Sequence, residues 1–392
     1  MIITRALGGG VVTVATFNVE NLFARPKAFD PLDWSAGEPI LRAYGEFNTL
    51  IANNTYTDAD RERMRDLLVE LGVYYRNTHG AIRRRPSQTP AWAWLRKNRG
   101  SFDREPRDAT ESVEIIAAGR DDWIGWLELA TEPTDEIGTR MTANVISDVD
   151  ADIIAVIEAE DRPALARFNH EMLDRTYRHV MLVDGNDERG IDVGVMTKPG
   201  FPIGAIRSNV DTEDATGTVF SRDCPQYEIT TPAGTVIHVL INHFKSQSGG
   251  GGEKRKRQAD AVRGIVDELV GDGEHVIVLG DLNEGQPKID EPPINLANLF
   301  DSDGPLISCY DLDGFDTGDR PGTFDTCSIR SRLDYILISH SLQPAFRSGH
   351  VFRKGLWGIR KTRPTAWDTY PEMTAAIHQA SDHAAVVIDL DT

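Results

Sequence analysis

The segment His275-Val-Ile-Val-Leu-Gly-Asp-Leu-Asn-Glu284 decides the fold expected for this chain. Its four consecutive apolar residues, 276–279, are typical of a short strand buried on both faces, and Gly280 leaves the backbone free to turn at its end. Two polar residues, Asp281 and Asn283, follow at the carboxyl end of the strand, where open α/β sheets often build their sites. Taken alone, the segment is equally compatible with an ordinary strand exit.

Six further apolar segments on either side of this one predict strands, and polar residues stand at or near their ends. The strand ends together supply Asn18, Glu158, His243, Asp281, Asn283, Asp334, Asp382 and His383. Each signal is weak by itself, because Asn18 is also suited to capping a turn, Glu158 to a rim position, and His243 to an ordinary polar contact. Their repetition favours one continuous domain whose strand ends converge on one site.

One of these polar residues needs a partner. Asp334 lies one residue into the apolar strand Arg332–Ser339, where an unpaired carboxylate would be costly to bury. His383 stands at the start of the last expected strand and is the natural partner for it.

Composition limits the classes of protein. The 392 residues suffice for one large α/β domain or two average ones. The net charge of −19 argues against nonspecific polyanion binding by the whole surface, although a local basic groove with divalent cations stays open. Three cysteines are too few for a disulfide framework. No apolar run approaches the ~20 residues needed to span a bilayer, so a cytoplasmic location is expected, or a secreted one if a leader has been removed.

Residues 24–142 lack strand alternation and are expected to form a mainly helical insertion within a single domain of residues 1–392. The capping sequence Thr57-Asp-Ala-Asp60 predicts the start of one helix. Further helices are expected over Val113–Leu129 and over about Glu136–Asp148.

Two segments combine basic and aromatic side chains. The first holds Trp92 and Trp94 together with Arg83, Arg84, Arg85, Arg96, Lys97, Arg99, Arg104 and Arg107. The second holds Phe352, Trp357 and Trp367 together with Arg353, Lys354, Arg360, Lys361 and Arg363. Such segments suit single-stranded or distorted nucleic acid, where bases stack and phosphates pair with guanidinium groups. A solvated loop is the plainer interpretation of the first.

The polar residues at the strand ends suggest a chemistry. Carboxylates and carboxamides for a magnesium-like ion, plus two histidines, are what metal-assisted attack of water on a phosphate ester requires. In their order along the chain these motifs resemble the endonuclease/exonuclease/phosphatase superfamily. The matching segments are Thr16-Phe-Asn-Val-Glu-Asn, Val156-Ile-Glu, Asn242-His-Phe-Lys-Ser, Gly280-Asp-Leu-Asn, Arg332-Leu-Asp-Tyr-Ile and Ser381-Asp-His. The Asn242 segment is similar to that of bacterial extracellular-type nucleases.

The resemblance implies a four-layer α/β sandwich in which two central β-sheets are flanked by helices. It also implies that Glu158 and Asn18 hold the divalent cation, with Asp382 nearby. The expected ion is Mg²⁺, with Mn²⁺ or Ca²⁺ as alternatives.

The same resemblance implies roles for five more residues. Asp281 would orient or deprotonate the attacking water, and Asn283 would hold phosphoryl oxygens. His383, kept in its tautomer by Asp334, would stabilise the transition state or protonate the leaving oxygen, and His243 would act similarly from the opposite side.

Arg189 and Lys245 are candidates for further contacts with the substrate phosphate. The expected activity is therefore a Mg- or Mn-dependent phosphodiesterase acting on nucleic acid, with DNA favoured over RNA and endonuclease not distinguished from exonuclease. The net charge motivates an alternative with a phospholipid headgroup, an inositol phosphate or another small phosphoester as substrate. A catalytically silent binding protein is disfavoured, because no essential side chain is missing, and no protein partner can be inferred.

Overall fold

The computed structural model describes residues 10–22, 25–26, 28, 34–85, 92–132, 137–247, 250–289, 291–358 and 367–391. Arg360, Lys361 and Arg363 of the second basic segment lie outside the described residues. No helix in the described ranges is long and apolar enough to cross a membrane.

The secondary structure contains both helices and strands throughout the chain. The helices are α1 (Trp34–Ile51), α2 (Asp58–Glu70), α3 (Ile137–Val149), α4 (Arg162–Met172) and α5 (Gly252–Gly271). The strands are β1 (Val11–Leu22), β2 (Arg25–Pro26), β3 (Tyr74–Arg76), β4 (Ile82–Arg84), β5 (Ala93–Arg99), β6 (Asp103–Arg104), β7 (Glu114–Ile115), β8 (Ile124–Leu129), β9 (Thr131–Glu132), β10 (Ile153–Ala159), β11 (His179–Val183), β12 (Asp192–Thr197), β13 (Ile203–Arg207), β14 (Glu213–Asp214), β15 (Gly217–Thr218), β16 (Gln226–Thr230), β17 (Val236–His243), β18 (His275–Asp281), β19 (Leu306–Ser308), β20 (Phe315–Asp316), β21 (Asp334–Ser339), β22 (Phe346–Phe352) and β23 (Ala385–Asp391).

The chain divides into two compact units, one of Met1–Phe23 with Asp135–Thr392 and one of Ala24–Thr134. The first unit contains a seven-stranded sheet in the order β11-β12-β10-β1-β23-β22-β20 and a six-stranded sheet in the order β13-β16-β17-β18-β21-β19. One apolar cluster lies between these sheets, a second packs α3 and α4 on the seven-stranded sheet, and a third packs α5 on the six-stranded sheet. This arrangement confirms the expected α/β sandwich.

The central strands are apolar on both faces because each face meets a different core. In β18, Ile277 and Leu279 point into the cluster between the sheets, whereas Val276 and Val278 point toward α5. All four side chains are fully buried. The continuous apolar run is therefore the direct signature of a strand covered by layers on both sides.

Strand direction brings the polar strand ends to one edge of the sandwich. Strand β1 runs parallel to β10, and β17 runs parallel to β18, so two pairs of carboxyl ends meet there. Strands β21 and β23 are antiparallel to their neighbours, so their amino ends reach the same edge, with Asp334 opposite Asp281. Gly280 has φ 131°, and a Cβ added there would lie 2.0 Å from the backbone oxygen of Asn242. Only glycine therefore allows β17 and β18 to approach this closely.

The second unit is less helical than the sequence pattern indicated. Thr57 caps α2 with the expected reciprocal hydrogen bonds to Asp60, and α3 agrees with the expected third helix but belongs to the first unit. The helix expected over Val113–Leu129 is wrong, since this segment forms β7 and β8. In β8, Gly125 and Leu127 point inward, whereas Trp126 and Glu128 point outward. Because the exposed residue Trp126 is itself apolar, the sequence does not show the alternation of apolar and polar residues that is typical of a strand.

Candidate active site

A cavity of about 480 Å³ opens at the edge where the strand ends meet. Seven of the expected site residues line it, namely Glu158, Arg189, His243, Asp281, Asn283, Asp382 and His383. Asn18 and Asp334 are buried behind it, with exposed fractions of 1% and 0%. Lys245 is not among the described residues that line the cavity, and its Nζ lies 3.4 Å from Ser246 Oγ. The structure thus brings together all the expected residues except Lys245.

His383 is held by a network of buried polar groups. Its Nδ1 lies 2.8 Å from Asp334 Oδ2, which also accepts a 2.6 Å hydrogen bond from Thr323 Oγ1. Ser381 Oγ accepts a hydrogen bond from the backbone nitrogen of His383 and donates one of 2.6 Å to the backbone oxygen of Asn18. The Ser381-Asp-His segment thereby ties the last strand to the end of the first.

The second ring nitrogen of His383 faces the centre of the site. Its Nε2 lies 3.9 Å from Asp281 Oδ2. Burial by itself lowers the pKa of His383, but the carboxylates of Asp334 and Asp281 outweigh it and raise that pKa to about 10. Both ring nitrogens therefore carry protons, and the ring is a hydrogen-bond donor toward the cavity.

Asp281 receives several hydrogen bonds although it is buried. The backbone nitrogen of Asn283 donates to Oδ1 at 2.8 Å, and the Asn283 side chain donates to Oδ2 at 3.0 Å. Asn18 Nδ2 lies 3.3 Å from the same Oδ2. Burial nevertheless raises the pKa of Asp281, which makes it a better proton acceptor than an exposed aspartate.

Asn283 is also engaged with the protein. Its side-chain nitrogen donates to the backbone oxygen of Phe244 at 3.1 Å in addition to Asp281. In this arrangement the amide orients Asp281, and the expected contact of Asn283 with phosphoryl oxygens stays a prediction.

His243 has the opposite electrostatic character from His383. Its Nε2 lies 3.5 Å from Glu158 Oε1 and 3.6 Å from Asp281 Oδ2. Burial and the neighbouring Arg222 hold its pKa well below the usual value, so the ring is neutral. The two histidines are thus suited to different tasks, one as a charged acid and one as a neutral donor.

The oxygen ligands around the cavity fit a divalent cation. Asn18 donates from Nδ2 to Glu158 Oε1 at 3.2 Å, and its Oδ1 accepts a hydrogen bond from the backbone nitrogen of Glu20 at 3.0 Å, so the carboxylates are the oxygen ligands directed at the cavity. Burial and the nearby Asp382 raise the pKa of Glu20 to about 7, and burial raises the pKa of Asp382. Carboxylates that crowd together in this way are stabilised when a hard cation binds between them, and oxygen ligands are those that Mg²⁺ prefers.

A second grouping of possible ligands requires a different interpretation. Ligand atoms of Asp281, Asp334 and His383 all lie within 4.8 Å of one another. Because Nδ1 of His383 is hydrogen-bonded to Asp334 and its Nε2 faces Asp281, we interpret these three residues as a hydrogen-bonded chain. Among the expected metal ligands, the carboxylates of Glu158 and Asp382 are the better candidates, and metal binding by Asn18 stays a prediction because its Oδ1 accepts a hydrogen bond from Glu20 N.

The backbone is strained at this site. Eight non-glycine residues within the described ranges have positive φ, and three of them line the cavity: Glu20 (52°), Glu158 (70°) and Asn283 (55°). Such conformations persist only where surrounding structure enforces them, and they concentrate at functional sites.

Glu20, Arg222 and Phe324 are among the cavity residues that were not assigned from the sequence. Glu20 follows Asn18 by two residues, and this proximity was the available signal. Arg222 is 4% exposed, with Nε 3.0 Å from Asp187 Oδ2, and Phe324 lies with its ring centroid 4.9 Å from that of His383. Neither Arg222 nor Phe324 ends an apolar run, so the strand pattern could not reveal them.

Arg189 lines the cavity but is already paired. Its guanidinium donates to both carboxylate oxygens of Asp187, at 3.0 and 2.7 Å. This pairing and the neighbouring Arg222 lower the pKa of Asp187 to about 2. Asp187 therefore positions the guanidinium groups of both Arg189 and Arg222 beside the cavity.

Comparison with known proteins identifies the family of this chain. Residues 131–383 match the Endonuclease/Exonuclease/phosphatase family. No sequence among curated proteins matches the chain.

Solved structures are similar to this chain at low sequence identity. An endonuclease/exonuclease/phosphatase family protein from Bacteroides thetaiotaomicron is 16% identical with a TM-score of 0.51, and the match covers 97% of this chain and 98% of that chain. Truncated TDP2 from Caenorhabditis elegans is 18% identical with a TM-score of 0.45, covering 65% of this chain and 91% of that chain. A mannosyl-6-phosphatase from Bacteroides thetaiotaomicron is 18% identical with a TM-score of 0.47, covering 65% and 91%.

The family match spans well over half of the chain and includes each candidate site residue from Glu158 to His383. The chain therefore belongs to the endonuclease/exonuclease/phosphatase family of phosphoester hydrolases.

Proposed function

We propose that this protein is a divalent-metal-dependent phosphodiesterase that hydrolyses nucleic acid, with DNA as the favoured substrate. The observation that carries the proposal is the chain Asp334–His383–Asp281, which faces Glu158 across a single cavity. A charged acid and a buried base on one site are the two groups that hydrolysis of a phosphodiester needs.

The residues divide the proton transfers between them. Asp281 accepts a proton from water as the water oxygen attacks phosphorus. As the bond from phosphorus to the leaving oxygen breaks, His383 donates a proton from Nε2 to that oxygen. Asp334 keeps the imidazolium oriented throughout, because it is bonded to the opposite ring nitrogen.

The remaining polar residues stabilise the charge of the transition state. A bound divalent cation supplies charge neutralisation at the phosphate oxygens, and Glu158, Asn18 and Asp382 would hold it. Arg222 and the neutral His243 line the cavity and offer N–H groups toward it. Donors fixed in advance in this way are typically worth about 10²–10³ in rate each.

Two features favour a polymeric phosphodiester. Arg189, Arg222 and Arg330 all line the cavity, and the single carboxylate of Asp187, which pairs with the first two, leaves positive charge for a phosphate. Phe324 is half-buried beside His383 and offers an apolar surface to a sugar or base.

The alternative is a small phosphoester, such as a phospholipid headgroup or an inositol phosphate. The net charge of −19 favours it, because long polyanions are repelled unless the binding surface is locally positive. A cavity of about 480 Å³ also accommodates one such molecule.

A substrate panel separates these functions. Supercoiled plasmid, single-stranded DNA, RNA, bis(p-nitrophenyl) phosphate, inositol phosphates and phospholipid vesicles are each incubated with Mg²⁺, Mn²⁺ or Ca²⁺ and with chelator. We expect cleavage of DNA with Mg²⁺ or Mn²⁺ and none with chelator. Intact nucleic acid at high enzyme concentration under every metal would reject the nuclease, and turnover of a small phosphoester alone would establish the alternative.

Site variants assign the activity to this cavity. His383→Ala and Asp281→Ala are expected to abolish turnover. His275→Ala is the matched control, because this histidine lies at the opposite end of β18 and bonds Ser341 Oγ at 2.8 Å. Turnover that survives in both site variants contradicts the assignment.

A further inference from the structure

The two-stranded sheet of β5 and β8 exposes a face with both aromatic and charged side chains. Strand neighbours alternate between faces, and Ala93, Leu95 and Leu127 point into the core of the second unit. The opposite face therefore carries Trp94 and Arg96 from β5, together with Trp126 and Glu128 from β8.

A shift in register adds another cation to this face. Arg96 pairs with Trp126 and Lys97 with Gly125, but Arg99 pairs with Ile124, so the register shifts between Lys97 and Arg99. Because directly opposite residues point to the same side, this shift turns Arg99 outward with Ile124 and Trp126.

The outward face combines open aromatic surface with ordered cations. Trp126 is 48% exposed, which is a large accessible area for a tryptophan. The Arg96 guanidinium lies 5.0 Å from the ring centroid of Trp94 and pairs with Glu128 at 2.8 Å. These contacts hold Trp94 and Arg96 in place, so the face is organised before any partner binds.

Arg99 leaves positive charge available on this face. Its guanidinium has no hydrogen bond or ion pair to any part of the chain that the structure describes. By contrast, Arg83 pairs with Glu105, and Arg104 pairs with Glu114. The unpaired charge of Arg99 therefore lies on the same face of this sheet as the exposed Trp126.

We propose that this face, which consists of Trp94, Arg96, Arg99, Ile124, Trp126 and the Glu128 that holds Arg96, is a stacking platform for single-stranded nucleic acid. Bases present flat apolar faces that stack on tryptophan rings and guanidinium planes, and the phosphates between them pair with arginine. Duplex DNA has its bases stacked internally, so it cannot use the exposed ring of Trp126 in this way. A partner with flat rings and negative charge matches both properties of the face.

The proposal does not depend on the active site, and its test is a binding measurement. The 392-residue protein is titrated against a fluorescein-labelled oligothymidylate in the presence of chelator, and fluorescence anisotropy is recorded. We expect Trp126→Ala to weaken binding about tenfold, as is typical for loss of one base–aromatic contact. We expect Arg99→Gln to reduce the slope of log K against log salt by about 0.7, the value for one lost phosphate contact on a single strand.

Matched controls separate stacking from general effects. Tyr75→Ala removes another partly exposed aromatic ring of the same unit, and Arg104→Gln removes a cation of the same segment that is paired with Glu114. Both should bind like the parent protein. Trp126→Phe should recover most of the affinity, because phenylalanine retains a flat ring.

Further outcomes decide the proposal. An oligonucleotide with the same number of phosphates but abasic sugars should bind markedly more weakly than oligothymidylate, and equal binding would refute stacking. Duplex DNA that competes as well as the single strand would also refute it, as would unchanged affinity of Trp126→Ala. If the protein binds oligothymidylate through this face but cleaves no nucleic acid, the proposed platform is supported and only the proposed nuclease activity is rejected.

Discussion

Replacing Asp334 by Asn removes a charge that solvent does not reach while leaving the shape of the side chain intact. Asp334 is 0% exposed, and its Oδ2 is bonded to His383 Nδ1 and Thr323 Oγ1. The substitution leaves His383 without the carboxylate that holds its ring and favours its imidazolium form. We expect kcat to fall, with KM unchanged because Asp334 does not line the cavity.

The size of the expected decrease in kcat follows from the hydrogen bond between Asp334 and His383, which is the contact that changes most. A hydrogen bond between charged partners contributes about 1.5–3 kcal/mol net. Since 1.36 kcal/mol corresponds to a tenfold change in rate, kcat should decrease by about 10- to 150-fold.

The assay is steady-state hydrolysis of bis(p-nitrophenyl) phosphate or of a labelled oligonucleotide, whichever the protein cleaves. Asp389→Asn is the matched control, because Asp389 also accepts two hydroxyl hydrogen bonds, from Thr13 and Ser348, but lies away from the cavity. Nitrogen-15 NMR of His383 reports the ring protons directly, and the Nδ1–H signal should weaken in Asp334→Asn. A folded Asp334→Asn protein with kcat within about twofold of the parent would refute this reasoning.

Three further predictions concern metal binding, backbone geometry and pH. Glu158→Gln should raise the Mg²⁺ concentration for half-maximal activity by about 10- to 100-fold, as metal titration will show. Gly280→Ala should lower the free energy of unfolding by about 4 kcal/mol or more in urea melts, since its Cβ would overlap Asn242. Burial and a hydrogen bond with Asp184 raise the pKa of Asp192 from 3.8 to about 7, so the parent protein loses stability as pH rises through this range. The difference between the Tm of Asp192→Asn and that of the parent protein should therefore increase between pH 4 and 7. A difference in Tm that stays constant over this range would contradict the prediction.

The fold could be predicted where sequence pattern and burial have the same cause. Four consecutive apolar residues in β18 indicate layers on both faces, and the structure places a different core on each side. The pairing of Asp334 with His383 could be anticipated as well, since a buried carboxylate without a partner would be too costly.

Other features depend on contacts that sequence spacing does not encode. Arg222 reaches the cavity from a loop, held by Asp187, and no apolar run precedes it to mark a strand end. The error at Val113–Leu129 had a physical cause too. A half-exposed Trp126 breaks the rule that large apolar residues point inward, so the alternation of β8 could not be recognised.

The position of β1 between β10 and β23 has a consequence for biosynthesis. The first strand is hydrogen-bonded to the last, and the contact between Thr13 and Asp389 joins residues separated by 376 positions. Such long-range pairing slows folding. The seven-stranded sheet cannot form completely until β23 has left the ribosome. Because Asn18 lies on β1 and His383 lies two residues before β23, a chain without β23 lacks an assembled cavity. Assembly of the cavity therefore depends on a contact between segments that are synthesised at very different times.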